Sequence, residues 1–165
     1  MTHAELISRA EYWLLKTIGC GFVLSDLRSC NHWGEVPDSI GWRFAQSYLV
    51  ECKTSRADYF NDNRKNFRRD YKRGMGNYRY YMVQPHLIRP DEVKGRWGLL
   101  YVYEKQIRII KQAEFINRRH SCYQEIPLLC SALRRVHLRG DLKKIYKCLN
   151  HARNGLTGGE DVSSD

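Results

Sequence analysis

The stretch Glu35-Val36-Pro37-Asp38-Ser39-Ile40-Gly41, followed by Tyr48-Leu49-Val50-Glu51-Cys52-Lys53-Thr54-Ser55-Arg56-Ala57-Asp58 and Asp62, decides how the chain is read. Tyr48-Leu49-Val50 is a short apolar, partly β-branched run, the signal of a buried strand. If that strand continues to Lys53, a period of two puts Glu51 and Lys53 on one face and Cys52 on the other. A carboxylate and an ammonium about 7 Å apart are then fixed on rigid backbone. A hairpin between Ile40 and Tyr48 brings Asp38 alongside Glu51. Two converging carboxylates repel and call for a cation between them. Oxygen ligands select a hard divalent ion, Mg²⁺ or Mn²⁺. Such an ion lowers the pKa of a bound water and stabilises charge developing on a phosphate, with Lys53 orienting the water or sharing that charge. The plain alternative is a surface hairpin with an i, i+2 charge pair.

Pro37-Asp38, twelve intervening residues and Glu51-Cys52-Lys53 together resemble the PD-(D/E)XK nuclease superfamily. The block Val50 to Phe60, with Asp62, Arg64 and Lys65, is similar to that of MmcB-like DNA repair proteins and related small phage and bacterial proteins. In that group a strand ending in Glu-x-Lys runs into Ser-x-x-Asp-Phe and then Asp-x-Lys. Here Tyr59-Phe60 follows Asp58, and Asn63-Arg64 precedes Lys65. The likeness spans roughly residues 1–90. It implies an α/β (α+β) fold with a restriction-endonuclease-like core, a mixed central sheet flanked by helices. It also implies a Mg²⁺- or Mn²⁺-dependent endonuclease cutting DNA phosphodiesters in repair, recombination or phage DNA processing. Asp38, Glu51 and Lys53 would be catalytic, with Asp38, Glu51 and the Cys52 carbonyl holding the ion. The first helix of the superfamily often adds an acidic ligand, which here would be Glu5, although Glu5 also fits a capping box with Thr2. Members that cut both strands often work as homodimers.

Length and composition agree with one folded domain. The chain has 165 residues, 42% hydrophobic and 12% aromatic, enough to bury a core and too apolar for a disordered chain. The formal net charge of +10 is concentrated in residues 56–81 and 133–153, as a polyanion-binding surface requires. A basic face kept for solubility is the competing account. Six scattered cysteines include no Cys-x-x-Cys pair, so no zinc site of standard spacing is expected. The chain has neither a signal-peptide pattern nor an apolar run of membrane-spanning length. Reduced thiols and a cytoplasmic location are the expectation.

The remaining elements follow in order. Residues 3–17 read as a helix with an apolar stripe at Leu6, Ala10, Trp13 and Leu14. His3 is an ordinary terminal residue unless it contacts phosphate. Strands are expected over Phe22–Leu24, Asp38–Trp42 and Ser47–Lys53, with Ser25 to Trp33 a polar loop. The first basic block, 54–74, reads as a helix. Tyr59, Phe60, Phe67 and Tyr71 are interleaved in it, and those at 60, 67 and 71 keep helical spacing and pack on the sheet. Ser55, Arg56, Arg64, Lys65, Arg68, Arg69 and Arg73 are candidates for nucleic-acid contact, the basic side chains facing phosphates. Asp58 is a candidate cap, and Asp62–Lys65 can be a plain i, i+3 ion pair. Gly74 and Gly76 allow either a close approach of the backbone to a ligand such as a phosphate or a helix cap. Tyr78 to Val83 reads as a fourth strand, with Arg79 at its entrance a further candidate for substrate contact. Trp97–Tyr103 and Gln106–Ile110 read as a hairpin, and Ser121–Leu138 as a helix. The expected division is a nuclease-like core over 1–112, a helical extension packed on it over 113–153, and a disordered tail over 154–165. The same residues on a fold that has lost its chemistry would make a non-catalytic nucleic-acid-binding or partner-binding module. An RNA-processing enzyme is a third possibility, since phosphate anchors do not tell DNA from RNA.

Overall fold

In a computed structural model, which describes residues 1–28, 35–65, 68, 74–117 and 122–141, the fold is α/β, built on one mixed six-stranded sheet. The strands lie in chain order: β1 (Phe22–Ser25), β2 (Ser39–Arg43), β3 (Gln46–Lys53), β4 (Tyr78–Val83), β5 (Gly98–Val102) and β6 (Ile107–Lys111). β1, β2 and β3 form an antiparallel meander, β3, β4 and β5 run parallel, and β6 returns antiparallel. Parallel neighbours need long crossovers. The first crossover contains α2 (Arg56–Asp62), and the second contains a short 3₁₀ turn, Pro90–Glu92.

Helix α1 (His3–Tyr12) begins at Thr2, whose hydroxyl accepts the Glu5 amide while the Glu5 carboxylate accepts the Thr2 amide. This reciprocal cap satisfies two otherwise orphaned donors. The helix continues as a π-helical turn, Trp13–Ile18, and stops at Gly19, whose φ of 77° suits a glycine. Its stripe of Leu6, Ile7, Ala10, Trp13 and Leu14 packs on Val50 and Cys52 of β3, Tyr80 and Met82 of β4, and Leu100 and Val102 of β5. These alternate strand positions make one apolar face of the sheet. The other face of the same strands carries Glu51, Lys53, Arg79 and Tyr81, all buried.

The chain divides into two compact units, Met1–Leu128 and Leu129–Asp165. Helix α3 (Cys122–Leu138) begins in the first and ends in the second. Within the first unit, Glu125 of α3 accepts hydrogen bonds from the Trp42 indole (3.0 Å), the Ser47 hydroxyl (2.7 Å) and the Gly76 amide (3.0 Å). The part of the expected helical extension beyond Asp141 and the expected tail over 154–165 lie outside the described residues. Among the described residues no helix is long and apolar enough to cross a membrane.

Candidate functional site

The site forms where β2 gives way to Asp38 and β3 ends at Lys53. Ladder pairing between β2 and β3 stops at Ser39 and Val50. Beyond that pair, the Asp38 carboxylate takes over as acceptor for the Cys52 amide, Oδ2 to N 2.7 Å. The N–H and C=O of one strand residue leave on the same side, so the Cys52 carbonyl faces the edge occupied by Asp38. The Cys52 thiol points the opposite way into the apolar core, where burial pushes its pKa up.

On the charged face the Lys53 ammonium is shared by three carboxylates. It lies 3.2 Å from Glu51 Oε2, 3.7 Å from Asp62 Oδ1 and 4.0 Å from Asp38 Oδ2. Arg68 closes the network from the other side. Its Nη2 is 2.8 Å from Glu51 Oε1, its Nε is 2.8 Å from Asp62 Oδ2, and its Nη1 is paired with Glu35. The Glu35 carboxylate also accepts the Met75 amide at 2.7 Å, and the Arg68 guanidinium lies over the Trp97 ring. Tyr81 donates to Asp62 at 3.3 Å, and Lys65 reaches the same carboxylate at 2.7 Å. Glu35, Glu51 and Asp62 are each at most 2% exposed. Unpaired charges so deep would be prohibitive, so the network persists because each is answered by another.

These surroundings divide the carboxyl groups. Burial would raise Asp62, but Arg68 and Lys53 outweigh it and hold that group at about 2. Burial and the Glu51 charge push Asp38 up to about 6 against the opposing pull of Lys53 and the Cys52 amide. Glu35 is likewise raised, chiefly by burial. Burial works against the Lys53 ammonium, yet Glu51, Asp62 and Asp38 keep its pKa above the ordinary value. Asp38 is therefore a carboxylate whose negative charge is incompletely compensated.

That imbalance bears on whether the residues suit a divalent ion. The donors are oxygens and the charge on Asp38 is incompletely met, while both Glu51 oxygens are already paired, with Lys53 and Arg68. Oxygen donors at Asp38, Glu51 and the Cys52 carbonyl are of the kind a hard cation takes, with Glu51 having to exchange a partner to join them. Asp38 also has neighbours on its open side. His3 Nε2 is 3.5 Å from Asp38 Oδ1, and the ligand atoms of His3, Asp26 and Asp38 lie within 4.8 Å of one another.

The structure thus brings Asp38, Glu51 and Lys53 together as the spacing predicts, and it redistributes several other residues. Glu5 is exposed and its carboxylate is spent on the Thr2 cap, while its neighbour His3 is the residue of α1 that reaches Asp38. Arg68 does not face outward toward phosphates: three carboxylates draw it into the interior, leaving its side chain 2% exposed. Arg79 is likewise buried at the strand entrance, donating to the carbonyls of Gly76 (3.1 Å) and Gly74 (2.9 Å), and burial lowers its pKa to about 10. Neither side chain stands on the surface. Ser55, rather than Asp58, is the cap of α2, accepting the Asp58 amide at 3.2 Å. Arg56 is exposed but paired with Glu92, Arg64 is exposed, and Lys65 makes its i, i+3 pair with Asp62. Tyr59 turns inward, whereas Phe60 is half exposed. Arg69, Arg73, Phe67 and Tyr71 lie outside the described residues. At Gly76 the close neighbour is Leu49 and not a ligand: at φ 88°, a Cβ there would sit 2.7 Å from that of Leu49. Trp42 is buried in the hairpin, while Phe44 is 95% exposed at the β2–β3 turn with φ 53°.

His3, Asp26, Glu35 and Arg68 are the members of this constellation that the sequence reading leaves out or assigns elsewhere. Pairing of β1 with β2 in antiparallel register could have pointed to Asp26, since it sets the residue after β1 beside the residue before β2.

No family model matches the chain, nor does any curated protein. A solved structure of a protein of unknown function from Silicibacter pomeroyi is similar, with a TM-score of 0.60 and 16% identity over 87% of this chain and 94% of that one. Likeness at that identity speaks to the fold alone.

Proposed function

We propose that the protein is a divalent-metal-dependent nuclease of the PD-(D/E)XK type that hydrolyses phosphodiester bonds of DNA in the cytoplasm. The observation that supports this reading is the convergence at the end of β3. Asp38 Oδ2 is held on the Cys52 amide, and Lys53 Nζ stands 3.2 Å from Glu51 and 4.0 Å from Asp38. A hard cation held by Asp38, Glu51 and the Cys52 carbonyl would act as a Lewis acid toward a phosphate oxygen and acidify a water. Lys53, fixed on rigid strand and kept protonated by three carboxylates, would orient the attacking water and share charge on the phosphate in the transition state. Asp62 would hold Lys53 in position from behind. The exposed cations Arg64 and Lys65 on the chain after α2, with the net charge of +10, would anchor the polyanion, so binding should weaken steeply with salt. A homodimer would follow if both strands of a duplex are cut.

One observation favours a non-catalytic binding module instead. Both Glu51 oxygens are already paired, with Arg68 and Lys53, and its side chain is 3% exposed. A closed network of that kind can be wholly structural. The deciding experiment is cleavage of single-stranded DNA, duplex, four-way junction and RNA with Mg²⁺, Mn²⁺ or chelator, for wild type, Asp38→Asn and Lys53→Ala. Metal-dependent cutting lost in both variants upholds the nuclease. Binding without cutting, equal in all three proteins, overturns it in favour of the module.

A further inference from the structure

We propose that His3 and Asp26 join Asp38 in a mixed nitrogen–oxygen cation site that prefers Mn²⁺ to Mg²⁺. The inference rests on the metal-dependent reading above and extends it to a ligand set and an ion.

Three separate segments supply the donors: the first residue of α1, the residue after β1 and the residue before β2. Two donors each about 2.1 Å from one octahedral ion stand about 3.0 Å apart when adjacent and about 4.2 Å apart when opposite. The 3.5 Å between His3 Nε2 and Asp38 Oδ1 falls within that span, and the mutual separation of 4.8 Å or less needs only a small contraction. Asp38 divides its two oxygens accordingly. Oδ2 serves the Cys52 amide and is the atom Lys53 approaches, while Oδ1 is on the His3 side.

The backbone holds the other two donors in place. The reciprocal Thr2–Glu5 cap fixes the start of α1, and with it His3. Asp26 adopts φ 49° and donates its amide to the Asp38 carbonyl at 3.2 Å, which ties the two carboxylate residues together through the main chain. His3 and Asp26 are exposed, so an ion has an entry path. Mg²⁺ takes oxygen ligands and dehydrates reluctantly, whereas imidazole suits first-row transition ions. A histidine in the set therefore tilts the site toward Mn²⁺.

The test is Mn²⁺ titration of the full chain, with free Mn²⁺ followed by EPR, Mg²⁺ as competitor, and pulsed EPR of the bound ion. Wild type should bind Mn²⁺ at least about tenfold more tightly than Mg²⁺ and show ¹⁴N coupling from one imidazole. His3→Ala, checked for unchanged folding by circular dichroism, should lose the ¹⁴N coupling and weaken Mn²⁺ binding about tenfold or more, with Mg²⁺ binding little changed. Asp26→Asn should weaken Mn²⁺ while keeping the coupling. If both variants bind Mn²⁺ like wild type while Asp38→Asn does not, the centre at Asp38 and Glu51 stands and the part given to His3 and Asp26 falls. If wild type binds no Mn²⁺ at millimolar concentration, both readings fall.

Discussion

The two faces of β3 are equally buried and are built on opposite principles. Val50 and Cys52 lie under α1 among Leu6, Ala10 and Leu14, where contact between apolar groups is sufficient. One residue away, Glu51 and Lys53 are just as inaccessible but must be answered charge by charge, by Arg68, Asp62 and Asp38. The apolar face tolerates small changes in shape. The charged face tolerates almost none, because removal of one member leaves its partners buried and uncompensated. A strand with one face of each kind can be rigid and still present charged groups at its end.

The contrast breaks most severely at Arg68. Arg68→Ala should lower stability by about 3–5 kcal/mol, against about 1 kcal/mol for Cys52→Ala on the apolar face, both read from urea unfolding. Comparable losses would mean that the carboxylates do not depend on the guanidinium. A divalent ion provides the converse test. At a hundredfold excess over its Kd, Mn²⁺ should stabilise wild type by about 2.7 kcal/mol and do nothing for Asp38→Asn, as thermal melts would record.

Acidity sharpens the comparison further. Asp38 binds its proton more tightly folded than unfolded, since its pKa is near 6 rather than the ordinary 3.8. Its contribution is fully present below about pH 4 and is lost as pH rises through 6, a decline of about 1–3 kcal/mol. Asp62, held near 2, acts in the opposite sense: its stabilisation is present above about pH 4 and disappears as pH falls toward 2. Urea titrations at half-unit intervals should show the upper decline in wild type and lose Asp38's share of it in Asp38→Asn. The smallest effect lies outside both faces. Phe44→Gly relieves a left-handed residue at the β2–β3 turn and should add about 0.5–1 kcal/mol. A loss there would show that the exposed ring has packing value.

Local periodicity made much of this legible. The alternation from Tyr48 to Lys53 gives the strand and assigns its faces, and the hairpin follows from the short interval between Ile40 and Tyr48. β4 runs over Tyr78–Val83 as its sequence predicts. The rest was hidden because it depends on what meets across the fold. Arg68 and Arg79 resemble the surface cations around them in sequence, and only the position of Glu35, Glu51 and Asp62, or of the Gly74 and Gly76 carbonyls, draws them inward. His3 and Asp26 carry no local pattern, since their proximity to Asp38 is set by strand register and by the start of α1. Glu5 was ambiguous between cap and ligand, and the adjacent Thr2 amide takes its carboxylate.

The Glu125 carboxylate has a consequence for where the folding unit ends. A chain cut before Cys122 would leave the Trp42 indole, the Ser47 hydroxyl and the Gly76 amide without this shared acceptor. Each buried donor left unmade costs about 1–3 kcal/mol, comparable in sum to the whole stability of a small domain. The first turns of α3 are therefore part of the sheet's own closure, and the minimal autonomous fragment extends to about Leu128, where the chain divides. A fragment chosen from the strands alone would stop too soon.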